Sequence, residues 1–143
     1  LNVLPPLVEV SLRAFEPEIA TPNLASFHIL LVEDNLLNRK VMLGFLKETN
    51  VQVDIAENGL IALEKLQQST YDLVLMDVQM PEMDGLTATK EIRQTLKLVD
   101  LPIIAMTAHA MQSDVDKSRE VGMNTHLIKP IDLDVLYKTL VKY

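Results

Sequence analysis

Asp77 stands directly after an uninterrupted apolar run, Leu73-Val74-Leu75-Met76, and the pair Glu33-Asp34 stands directly after another, Ile29-Leu30-Leu31-Val32. Apolar runs of this length read as buried strands, so three carboxylates are expected at strand ends. Two more polar residues hold the same kind of position: Thr107 follows Ile103-Ile104-Ala105-Met106, and Lys129 follows Leu127-Ile128. Like charges roughly 4 Å apart repel by about 4 kcal/mol at an effective dielectric of about 20, and a hard cation relieves that repulsion. Oxygen-only ligands suit magnesium, which keeps several waters and takes one or two carboxylates plus a phosphate oxygen. A hydroxyl and an ammonium facing Asp77 would hold two oxygens of a phosphoryl group while the cation holds a third. Singly each residue is weak evidence, because acids after strands serve as helix caps and a threonine there is a strand former. Their common register carries the reading.

That register needs elements that converge. From Phe27 onward, short apolar runs alternate with amphipathic stretches, the pattern of a parallel sheet with helical crossovers. The spacing predicts strands at Phe27–Val32, Val51–Ile55, Leu73–Met76, Pro102–Met106 and Thr125–Ile128. Leu37, Val41, Gly44 and Phe45 mark one face of a first helix, and Ala62, Leu63 and Leu66 a second. Leu86, Thr89, Ile92 and Leu96 mark a third, Met111, Val115, Ser118 and Val121 a thinner fourth, and Leu133, Leu136 and Leu140 a fifth. Asn58 and Asp132 stand where N-caps are wanted, and Gly122 where the fourth helix ends.

Strands one and three are continuous apolar runs and belong in the middle of a sheet, whereas the alternation of Val51-Gln52-Val53-Asp54-Ile55 suggests one wet face or an edge. Right-handed crossovers then give the order 2-1-3-4-5. This is a flavodoxin-like, doubly wound α/β fold with five parallel strands and five helices. In such a sheet sites form beyond the carboxyl ends, where the winding reverses between strands one and three.

Residues 1–26 hold four of the seven prolines and no sustained periodicity. They are expected to be a linker or tail from a preceding domain, with 27–143 as one domain. The 13 basic residues against 20 acidic ones give a net charge of −7 without a basic cluster, which argues against direct nucleic-acid binding. The absence of cysteine excludes a disulfide framework and a thiolate zinc site, and suits a reducing compartment such as the cytoplasm. No apolar run approaches the roughly 18 residues of a membrane span. Direct membrane contact is not expected, and a membrane-anchored parent would carry its spans outside this chain.

Four segments, Ile29–Asn35 (ILLVEDN), Leu73–Gly85 (LVLMDVQMPEMDG), Pro102–Ala108 (PIIAMTA) and Lys129–Ile131 (KPI), resemble the response-regulator receiver domains of two-component phosphorelays. The resemblance implies that Asp77 is the phosphorylated aspartate, Asp34 a direct metal ligand, Glu33 its acidic neighbour, and the main-chain carbonyl of Gln79 a further metal ligand. It implies that Thr107 and Lys129 contact the phosphoryl group. Gly85 occupies the family's turn position, consistent with a positive φ. Lys129-Pro130 can be cis or trans.

Two positions depart from the common pattern. Glu33 replaces an aspartate, and its longer arm would reach metal through water. His126 stands where members often place a tyrosine or phenylalanine that turns inward on activation, and a histidine switch would respond to pH near neutrality.

The resemblance extends to receivers fused to hybrid sensor histidine kinases, through Asn35…Asn38-Arg39 and Met106–Ala110. It implies as partners a kinase phosphohistidine domain and a histidine phosphotransfer domain, docking near the first helix. The rival reading is an aspartate-nucleophile phosphatase of haloacid-dehalogenase type. Such enzymes need a second aspartate two places after the nucleophile, and Gln79 occupies that place. A flavin carrier of the same fold would need a hydroxyl- and glycine-rich loop after Val32, which is absent.

Overall fold

The structure, a computed structural model, describes residues 21–80, 83–108 and 111–143. The elements among them alternate: β1 (His28–Val32), α1 (Leu36–Lys47), β2 (Gln52–Ala56), α2 (Gly59–Gln68), β3 (Leu73–Asp77), α3 (Gly85–Gln94), β4 (Ile103–Thr107), α4 (Gln112–Val121), β5 (Thr125–Ile128) and α5 (Leu133–Lys142). All strand pairs are parallel, in the order β2-β1-β3-β4-β5. The predicted topology holds, with strand ends moved by one residue. Asp77 and Thr107 become the last residues of β3 and β4 rather than the first residues beyond them.

Alternation along the strands divides the core in two. Leu30, Val32, Val74, Met76 and Ala105 face Ala62, Leu66, Ala88 and Ile92 of α2 and α3. Ile29, Leu31, Leu73, Leu75, Ile104 and Met106 face Met42 and Leu46 of α1 and Leu136, Tyr137 and Leu140 of α5. β3 and β4 are buried along their whole length, as expected of strands covered by helices on both faces.

Side-chain caps start four of the helices. Asn35, Asn58, Asp84 and Asp132 accept bonds from the backbone amides of Asn38, Ile61, Thr87 and Asp134. α4 lacks such a cap and buries only Ser118, but ends on Gly122 at φ 107°, as its glycine predicts.

The expected face of α1 is corrected. Leu37 and Val41 are 68% and 45% exposed, Gly44 is exposed, and only Phe45 of that set packs on the core; Met42 and Leu46 are the buried pair. Leu36, Leu37, Val41, Met42, Leu43, Phe45 and Leu46 cover more than half the helix circumference. Periodicity alone therefore could not choose the buried ridge.

Residues 1–20 of the expected linker lie outside the described residues. Within 21–26, Leu24 packs on the core beside α1 and α5, and its amide donates to the Thr49 carbonyl at 2.7 Å. No helix among the described residues is long and apolar enough to cross a membrane.

Candidate functional site

The register of the sheet sets the site. Val32 pairs with Met76 and Asp77 with Met106, so the carboxyl ends of β1, β3 and β4 stand side by side. Glu33 and Asp77 are almost fully buried, at 1% and 2% exposure, while Asp34 is exposed. One carboxylate oxygen from each of the three lies within 4.8 Å of the others. The residues that sequence spacing grouped are thus gathered in space.

Lys129, immediately after β5, enters from the other side. Its amide donates to the Thr107 carbonyl at 2.8 Å, which fixes it beside the end of β4. Its Nζ stands 3.1 Å from Asp77 Oδ1 and 3.2 Å from Glu33 Oε1. The Lys129-Pro130 bond is cis.

Asp77 Oδ1 also accepts from the Gln79 amide at 3.3 Å, and Glu33 Oε2 from the Asn35 amide at 3.2 Å. Glu33 Oε1 is buried and receives no hydrogen bond, although Lys129 stands beside it as an ion pair. Its free electron pair, inside a cluster of oxygen donors, fits a hard divalent cation.

Electrostatics records the crowding. Burial, followed by the neighbouring Glu33, pushes the Asp77 carboxyl up to about 7 against the pull of Lys129. Burial works against the Lys129 ammonium, but Asp77 and Glu33 outweigh it and hold its pKa above the ordinary value. Asp77 thus sits in a pocket whose carboxylates outnumber the single Lys129 ammonium, and a bound cation would restore its ionised, nucleophilic form.

The remaining predicted residues cluster at the rim. Thr107 is 7% exposed, and with half-buried His126, Val115, Lys117 and Ser118 it lines a crevice of about 40 Å³. Gln79 is exposed one residue beyond Val78.

The reason given for Gly85 is corrected. Among the described glycines only Gly122 has positive φ; Gly85 opens α3, where a Cβ would collide with the Asp77 carbonyl oxygen and stand 2.9 Å from Val78 Cα. Close approach of backbones, not a left-handed turn, requires glycine there.

Arg39 has no role in the sequence reading beyond its place in a familiar segment, yet its Nη1 donates to the Glu33 carbonyl at 3.0 Å. An arginine one turn into the helix after an acidic pair is the signal that could have found it.

A family model described as response regulator receiver domain matches residues 29–141. The chain is 42% identical over 142 residues to the autoinducer 2 sensor kinase/phosphatase LuxQ of Vibrio harveyi, covering 99% of this chain and 16% of that protein. It thus spans less than a fifth of the length of the curated relatives it matches.

Among solved structures, the receiver domain of sensor histidine kinase PA1611 of Pseudomonas aeruginosa, with a magnesium ion coordinated in its active-site cleft, superposes with TM-score 0.74. That match has 36% identity and covers 82% of this chain and 96% of that one. The receiver domain of the Saccharomyces cerevisiae regulator Ssk1, in complex with the histidine phosphotransfer protein Ypd1, superposes with TM-score 0.78 at 29% identity, covering 87% and 91%. Sequence match, sheet order and the acidic strand ends agree: the chain belongs to the response-regulator receiver domain family.

Proposed function

We propose that Asp77 accepts a phosphoryl group from a partner's phosphohistidine in a two-component phosphorelay. The observation that carries this is the buried Asp77 carboxylate at the end of β3, with Glu33 and Asp34 within 4.8 Å on one side and the Lys129 ammonium at 3.1 Å on the other. An Asp77 carboxylate oxygen attacks phosphorus in line. The new O–P bond forms as the P–N bond to the partner's imidazole breaks, and the imidazole leaves with the electron pair.

Lys129 and the Thr107 hydroxyl bind phosphoryl oxygens and stabilise the charge that spreads over them. Asp34, Asp77, the Gln79 carbonyl and, through water, Glu33 would hold magnesium, which would supply positive charge among the crowded carboxylates. His126, lining the Thr107 crevice, is the candidate switch that reports occupancy of the pocket.

The chain is read as part of a cytoplasmic hybrid sensor histidine kinase. The exposed Leu36, Leu37 and Val41 of α1, beside the pocket, form the docking face for its phosphohistidine or a histidine phosphotransfer domain. The phosphatase alternative gains no support, because Gln79 offers no acid two residues past the nucleophile.

The test incubates the protein with magnesium and acetyl phosphate. Wild type is expected to gain one phosphoryl mass that hydroxylamine removes, and Asp77→Ala none. An unlabelled wild type, or an equally labelled variant, overturns the reading.

A further inference from the structure

The segment Asn35–Arg39 does more than begin α1. The Asn35 side chain caps the helix through the Asn38 amide at 2.9 Å, while the Asn35 amide donates to Glu33 Oε2 at 3.2 Å. One turn later Arg39 reaches back over the same loop. Its Nη1 donates to the Glu33 carbonyl at 3.0 Å and, more weakly, to the Asp34 carbonyl at 3.4 Å. Those carbonyls belong to the two peptide planes that flank the Asp34 Cα. Each plane is rigid, so bonds to both restrain φ and ψ at Asp34 and with them the direction of its Cα–Cβ bond. Asp34 needs such a device, because its carboxylate is exposed, unlike the buried Glu33 and Asp77.

We infer that Arg39 is a positioning residue for the acidic pocket, aiming the Asp34 carboxylate through main-chain hydrogen bonds. The inference rests on the reading that Glu33, Asp34 and Asp77 hold magnesium. Charge alone predicts the opposite behaviour: removing a cation beside three carboxylates should tighten binding of Mg²⁺. The direction of the effect therefore separates positioning from simple electrostatics.

The test measures Mg²⁺ binding by calorimetry, and amide hydrogen exchange at Asn35 in EDTA, for wild type, Arg39→Ala, Arg39→Lys and Lys40→Ala. The last removes an equal charge from an exposed neighbour on α1. Arg39→Ala is expected to weaken Mg²⁺ binding about 10-fold, as loss of an outer-layer partner does, and to speed Asn35 exchange without metal. Arg39→Lys, which can still reach one carbonyl, should recover part of both effects. Lys40→Ala should leave exchange unchanged and bind Mg²⁺ as tightly as wild type or more so.

Unchanged or tighter binding by Arg39→Ala, or unchanged Asn35 exchange, overturns the inference. If wild type itself takes up no Mg²⁺ that Asp34→Ala abolishes, the magnesium reading fails, and the metal-free exchange rates still decide whether Arg39 holds the loop.

Discussion

Asp77 is asked to be both buried and charged. Its carboxyl is raised from the ordinary 3.8 to about 7, so between those values the folded chain keeps a proton that the unfolded chain has released. Stability of the metal-free protein must then fall as pH rises across that window. Asp77→Asn removes this slope. In EDTA at pH 8 the variant is expected to be more stable than wild type by about 1–2 kcal/mol, with the two converging near pH 4, as read by urea denaturation at each pH. The same residue shows what sequence could disclose. Glu33, Asp34, Asp77, Thr107 and Lys129 were legible because each ends an apolar run, so strand burial itself announces them. Arg39 was not, because its partners are main-chain carbonyls, and no side-chain pattern records where a carbonyl points.

At the scale of elements, the start of α3 lies tight against the end of β3. The Gly85 amide donates to the Val78 carbonyl at 2.9 Å, and the helix starts so close to the strand that a Cβ has no room. Gly85→Ala is expected to cost about 1–3 kcal/mol by overpacking. It should also slow phosphoryl uptake, since the displaced carbonyl is that of Asp77. Gly44→Ala, in the exposed middle of α1 with nothing within 4 Å of its added carbon, should instead stabilise by about 0.5–1 kcal/mol. Denaturation midpoints and acetyl-phosphate labelling rates check the pair. Strand order and helix count were legible because continuous and alternating apolar runs rank strands by burial. The rotation of α1 was not, since apolar residues cover most of its surface and the unused ridge, Leu37 and Val41, is as apolar as the buried one.

Across the whole molecule, one side chain ties two connections together, that between α3 and β4 and that between α4 and β5. The Arg93 guanidinium, from the end of α3, donates to the carbonyls of Leu98 at 2.6 Å, Leu101 at 2.7 Å and Gly122 at 2.7 Å, and to Asn124 Oδ1 at 3.0 Å. Asn124 Oδ1 in turn accepts from the Ile103 amide at 2.8 Å, where β4 begins. Arg93→Met strands several carbonyls and is expected to cost about 2–4 kcal/mol, seen as a lower urea midpoint with unchanged slope.

This clasp and the acidic pocket sit at opposite ends of the sheet, and the clasp shares its end with a second feature. Pro22, Leu24 and Phe27 before β1 line one cleft with Leu140, Val141 and Tyr143 of the closing helix. The first and last of the described residues therefore stand at one pole of the fold, opposite the acidic pocket. Among the described residues neither end crosses the acidic face, so that face stays open to solvent on the side away from both ends.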